Sequence, residues 1–219
     1  MTDPADGPLT AEGLRARFAG TQMPQDPLDV VMPPGLSRWP HGMQEKLGGS
    51  LKPAGVLVPL MQRRDGVSVL LTQRAAHLKH HAGQVSFPGG AWESQDLSLQ
   101  HTAIRETREE LGISGEIEIL GSLTELHIPV SNFLVTPFVG WMDETPVFKP
   151  DPTEVQYVIE TPLQSLLSSS NMEMELMLRH DLAIQAPCYK IGKEKIWGAT
   201  AMMLSEILEL ASRLPLRRC

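Results

Sequence analysis

The sequence of 219 residues has little cysteine: only Cys188 and Cys219. No CxxC pair occurs, and two distant cysteines build neither a disulfide framework nor a thiolate metal centre. Positive charge is also short. Nineteen Lys and Arg, against 26 Asp and Glu, leave a net charge of −7. That excludes a general nucleic-acid binder, which needs a basic footprint. It does not exclude a phosphate substrate, because a bound cation inverts the local charge. No stretch approaches the ~18 apolar residues of a membrane span, so no membrane partner is expected. The opening MTDPADGPLTAEG lacks a basic region ahead of an apolar core. No signal peptide is predicted, and a reduced, cytoplasmic setting is expected. There is no HExxH motif, no internal repeat and no low-complexity tract.

What remains is a chain of ordinary globular composition, 42% hydrophobic and 21% charged. Its length suits one domain with an extension. Residues 1–52 are rich in proline and glycine and read as that extension, with one short helix from Thr10 to Phe18. It either wraps on the domain, builds a subunit interface in a homodimer, or is a partly disordered arm. The domain is expected over 53–214, with a tail at 215–219.

Strands are predicted at 54–60 and 67–74, joined as a hairpin by the turn at 63–66. A third covers 83–90 and runs into Gly89 and Gly90; further strands are read at 116–126, 132–142, 154–163 and 172–179, and a hairpin turn at Gly192. A helix is predicted from about Ser98 to Leu111, with Gly112 in position for a left-handed cap. A second, amphipathic helix spans 200–214, with Met203, Ile207, Leu210 and Leu214 on one stripe. Strands mixed with two main helices give an α/β or α+β sandwich, a mixed sheet flanked by helices.

The helix ending at Leu111 carries Glu106, Glu109 and Glu110. On a helical wheel Leu97, Ile104 and Leu111 fall together near Thr107, as a packing face, and the three carboxylates fall opposite and converge. Like charges at that spacing cost helix stability, and Arg105 neutralises only part of the cluster. The plain alternative is a solvated acidic face. The glycine pair just upstream changes the weighting. Gly89 and Gly90 let the main chain approach a ligand closely. A carbonyl there and the helix carboxylates make an oxygen donor set suited to Mg²⁺ or Mn²⁺.

Gly90, Asp96, Arg105, Glu106, Glu109, Glu110, Gly112 and Ile113 together resemble the Nudix box, G-x5-E-x7-R-E-U-x-E-E-x-G-U, where U is aliphatic. Asp96 stands where Glu is usual, one residue further from the arginine, and Thr107 replaces an aliphatic residue. Upstream, LLTQRAAHLKHHAGQVSFPGG (70–90) looks like the signature of the coenzyme A diphosphatases, with Ala75 in place of a serine. The likeness covers about residues 53 to 210.

The resemblance implies a Nudix-type α/β/α sandwich and hydrolysis of the diphosphate in coenzyme A or its thioesters, giving 3′,5′-ADP and 4′-phosphopantetheine. It implies Glu106 and Glu110 as metal ligands, Glu109 as a third ligand or water-orienting group, and Gly89 as a carbonyl ligand. Arg105 would hold the carboxylates in place, and Arg74 and Lys79 would bind substrate phosphate. Glu154 is a candidate general base from another loop. His77, His80 and His81 are disfavoured as a zinc site, and Met202 and Met203 read as core filling. Two rivals stand beside this: a Nudix enzyme for another nucleoside diphosphate such as ADP-ribose, and a non-catalytic nucleotide-binding regulator.

Overall fold

A computed structural model of the chain describes residues 11–20, 51–64, 66–78, 81–128, 131–143, 146–168, 171–179 and 182–211. The centre is strand β1 (Lys52–Arg63), which pairs antiparallel with β2 (Gly66–Arg74) through the expected hairpin. Its other neighbour is β7 (Phe133–Met142), which runs parallel to it. Strands β3 (Val85–Ser86) and β8 (Val155–Pro162) pair with β2, β4 (Gly89–Ala91) with β1, and β5 (Glu118–Ser122) and β6 (Leu126–Ile128) with β7. The result is one eight-stranded mixed sheet. A second sheet holds β9 (Met172–Arg179), β10 (Leu182–Ile191) and β11 (Glu194–Ile196), with Gly192 at its turn.

Both faces of the large sheet are covered, so its strands read as nearly unbroken apolar runs. Alternation still sorts the side chains. Leu57, Met61 and Leu70 join one core with Ala103 and Leu111 of helix α2 (Leu99–Leu111). Ala54, Val58, Val69 and Leu71 join the other. That second core includes Leu204 and Ile207 of helix α4 (Gly198–Ala211), Leu163 of the short α3 (Leu163–Leu166), and Leu14 of α1 (Ala11–Gly20). Helices therefore flank a mixed sheet on both sides, an α+β architecture. Helix α1 lies on the sheet through the fully buried Leu14 and an Arg15–Glu118 ion pair. Thr10 and Leu214 fall outside the described residues. Among the described residues, no helix is long and apolar enough to cross a membrane.

Four expectations are corrected. The stretch 83–90 is not one strand. It changes partner from β2 to β1, and Pro88 O accepts from Leu57 N at 2.9 Å where the chain crosses over. The stretch 116–126 is likewise two short strands, β5 and β6, and the pairing of β5 with β7 slips between Ile119 and Gly121. Helix α4 is buried nearly all round rather than along one stripe, because α1 and β10 pack on it as well as the sheet. Finally, Leu97 is not on the packing face of α2, since it precedes the helix and is 91% exposed; Leu111 and Thr107 are buried as expected and Ile104 packs half-buried on the same core, with Thr102, Ala103 and Glu110 also buried. Thr102 and Ala103 sit at a close approach. A Cβ on Gly55 of β1 would stand 2.2 Å from Leu99 O and 2.9 Å from Ala103 N. The short Thr102 and Ala103 fit at that approach, and Thr107 is buried with its hydroxyl satisfied by Ala103 O at 2.7 Å.

Candidate active site

Local sequence sets the frame of α2. Ser98 caps its start by accepting from His101 N at 3.1 Å, and Gly112 ends it with φ 61°. The loop after β7 closes the far end, where Lys149 N donates to Leu111 O and Asp151 N to Glu110 O. Strand β4 lies beside the helix. A Cβ on Gly90 would stand 2.4 Å from Glu106 Oε1, so glycine is what lets this carboxylate lie against the main chain. Gly89 has φ 154° and packs on Gly55 O and Val56.

The three helix carboxylates sit in three environments. The Glu109 side chain is 60% exposed and that of Glu106 15%. Glu110 is buried at 2%, and its Oε2 has no partner. Burial pushes the Glu110 carboxyl up to about 8; Arg74 opposes this, Glu154 and Glu106 add to it, and the Gly89 N–H opposes it. Burial also raises Glu106, against the pull of Arg105, with Glu109 and Glu154 adding repulsion. Glu110 thus faces the sheet rather than solvent, while its charge still couples to Glu106, and that of Glu106 to Glu109, so the three carboxylates lie together at different depths. Among the described residues, no three acidic, imidazole or thiol side chains stand as a closed ligand set.

Arg105 is fixed from behind by Asp96. Its Nε donates to Asp96 Oδ1 and its Nη2 to Oδ2, both at 2.9 Å. Its Nη1 then donates to Glu106 Oε1 at 2.9 Å and to Glu109 Oε2 at 3.1 Å. Arg105 is therefore both an i, i+4 partner and a clamp on two carboxylates. Asp96 also accepts from Thr102 Oγ1 at 2.9 Å and Glu93 N at 3.0 Å, with His101 Nδ1 at 3.0 Å. These bonds, Arg105 first, hold its carboxyl well below the usual range. The shorter acid is thus fully engaged despite the extra residue in the loop.

Arg74 ends β2 with its side chain 22% exposed, and its Nη1 lies 3.6 Å from Glu110 Oε1. Lys79 and His80 lie outside the described residues. His77 and His81 are occupied separately, by Thr153 O and Gln84 Oε1. Sequence reasoning did not find Thr102 and His101 as supports of Asp96; their i, i+1 position on the first turn of the helix is the only signal it offers. Glu154 is exposed, but its backbone is tied to Ala75 N at 2.9 Å and its charge reaches both Glu106 and Glu110. A surface cavity of about 560 Å³ at the β1–β2 turn, lined by Arg63, Arg64 and Glu160 among others, includes none of these groups.

A divalent cation fits this arrangement. The unpartnered, buried Glu110 Oε2 and the desolvated Glu106 are hard anionic oxygens whose charged forms nothing nearby fully compensates. Glu106, Glu110 and Glu109, with the Gly89 carbonyl, are the groups that would hold it.

The NUDIX domain family matches residues 51–177. The chain is 39% identical over 157 residues to the "Uncharacterized Nudix hydrolase NudL" of Enterobacter sp. (strain 638), covering 70% of this chain and 80% of that protein. It is 33% identical over 166 residues to the protein of the same description from Photorhabdus laumondii, covering 75% and 88%. With the Salmonella paratyphi B counterpart the identity is 37% over 155 residues, covering 70% and 80%. A Nudix match over most of the chain, and alignment along most of the length of these relatives, place the glycine strand, the clamped arginine and the acid-rich helix in one lineage: the chain belongs to the Nudix hydrolase family.

Proposed function

We propose that this Nudix hydrolase cleaves the diphosphate of coenzyme A, or of its thioesters, to 3′,5′-ADP and 4′-phosphopantetheine or its acyl form. The observation that carries the reading is where the segment resembling the coenzyme A diphosphatase signature lies. Arg74, at its start, stands 3.6 Å from Glu110, and Gly90, at its end, is packed against Glu106. The segment thus lies against two of the helix carboxylates, which supports a shared site for substrate-reading and metal-holding groups.

When bound, Mg²⁺ or Mn²⁺ supplies neutralisation of the diphosphate and polarisation of the P–O bond that breaks. The chain's own residues supply position. Glu106 and Glu110 would hold the cation, and Glu109, the exposed one, would serve as a third ligand or orient the attacking water. Asp96 aligns Arg105, and Arg105 bridges Glu106 and Glu109, offsetting part of their mutual repulsion. Arg74 offers a guanidinium fork to a substrate phosphate, with Lys79 as a second cation. Most of the rate then comes from positioning and charge stabilisation.

The test is incubation of pure protein with coenzyme A and Mg²⁺ or Mn²⁺, resolved by anion exchange beside ADP-ribose. The expected product is 3′,5′-ADP, strongly reduced for Glu110→Gln. Cleavage of ADP-ribose with coenzyme A untouched moves the substrate to another nucleoside diphosphate. No cleavage of either supports a nucleotide-binding regulator.

A further inference from the structure

The Arg74–Glu110 pair is incomplete on both sides. Arg74 Nη1 stands 3.6 Å from Glu110 Oε1, longer than a hydrogen bond. Arg74 Nε and Glu110 Oε2 are both buried, and neither has a partner. Buried polar groups are normally bonded, so each open valence points to something the pair does not provide. The open acceptor asks for a cation. The open donor asks for an anion. Both elements are fixed: Arg74 N donates to Gln84 O at 2.9 Å and Arg74 is in register with Val155, while Asp151 N donates to Glu110 O at 3.2 Å.

We propose that Arg74 is an internal counter-ion of Glu110 that a divalent cation displaces, and that the displaced guanidinium then binds the diphosphate of the substrate. This rests on the diphosphate-hydrolase reading above. Arginine keeps its charge at any working pH, so it cannot relieve repulsion from an arriving cation by losing a proton. It has to move or gain an anion. Its side chain is 22% exposed and so already reaches the surface where a substrate would lie. A diphosphate offers the acceptor oxygens that the guanidinium fork lacks here. One side chain thereby links the two ligands: the cation releases Arg74 for substrate, and substrate keeps Arg74 off Glu110, tightening the cation by the same factor.

The experiment is calorimetric titration of the full chain with Mn²⁺, without substrate, at mildly alkaline pH, for wild type, Arg74→Met and Arg74→Lys, followed by kcat and KM for coenzyme A. With Glu110 ionised, removing the positive charge beside it is expected to tighten Mn²⁺ binding by about tenfold. Arg74→Lys keeps the charge and should bind Mn²⁺ as wild type does. Both variants should raise KM for coenzyme A more than they lower kcat, since both lose the fork. Circular dichroism checks folding, and Arg74→Gln replaces Arg74→Met if the latter unfolds. An uncharged variant that binds Mn²⁺ no tighter than wild type overturns the proposal. Tighter Mn²⁺ with an unchanged KM overturns the handover to substrate. Because the titration contains no substrate, it reads the counter-ion role even if wild type forms no 3′,5′-ADP, the outcome that would instead remove the coenzyme A reading.

Discussion

Glu110 is where function and stability conflict most sharply, and the conflict has a measurable size. Burial raises its carboxyl from the ordinary 4.5 to about 8 in the metal-free protein. The folded chain therefore holds a proton there that the unfolded chain has released. Stability is greatest below the unfolded value and falls as pH rises between the two. Neutral pH lies about 2.5 units above the unfolded value, a cost of roughly 3.5 kcal/mol at ~1.4 kcal/mol per unit. Glutamine is the isostere of the protonated acid and avoids that cost. Its amide keeps an oxygen toward Arg74 but leaves an N–H₂ at the position where Oε2 has no partner, which returns about 1 kcal/mol. Glu110→Gln should thus stabilise the metal-free protein by about 2.5 kcal/mol at neutral pH. Its stability should also be flatter than wild type between about pH 5 and 8. The assay is urea unfolding in EDTA across that range. Added Mg²⁺ should narrow or reverse the difference, because only wild type gains the full stabilisation from a bound cation. A variant less stable than wild type in EDTA at neutral pH, or with the same pH slope, would refute the reasoning.

Three further outcomes follow from the same geometry. Asp96→Asn removes the anion that holds Arg105 at two points, and Mn²⁺ affinity should fall about 10- to 100-fold, as for other outer supports of a metal site. Because Asp96 is held below its ordinary 3.8, the stability it provides is present above that value and lost as pH falls; acid unfolding of the variant should be shallower. Gly55→Ala and Gly90→Ala should separate fold from function. The first drives a Cβ to 2.2 Å from backbone Leu99 O and should cost about 1–3 kcal/mol in urea unfolding. The second meets only the end of Glu106, at 2.4 Å from Oε1, so turnover should collapse with little change in thermal midpoint.

What the sequence made legible was local. The bounds of α2 follow from a serine cap and a left-handed glycine, and the β1–β2 hairpin from a turn between two apolar runs. Strand β1 was legible as a buried one, because both its faces are apolar; which helix each face meets was not. The buried face of α2 was legible in part: Ile104, Thr107 and Leu111 do turn to the core, but Leu97 does not, and Glu110 joins them unannounced. What sets the approach of its first turns is Gly55 on a distant strand, which meets Leu99, Thr102 and Ala103. A buried acid at a packing position contradicts hydropathy, and such contradictions concentrate where function is built. The role of Asp96 was hidden for a related reason. Its spacing looked like a departure from the family pattern, and only the folded loop shows it meeting Arg105, Thr102 and His101 together.

The most direct test of the central claim is kcat/KM on one preparation, with Mg²⁺, for coenzyme A, ADP-ribose and a sugar nucleotide. The account predicts the highest value for coenzyme A, with 3′,5′-ADP as product and loss of activity in EDTA. Equal or higher values for the other two substrates, or turnover that survives EDTA, would contradict it.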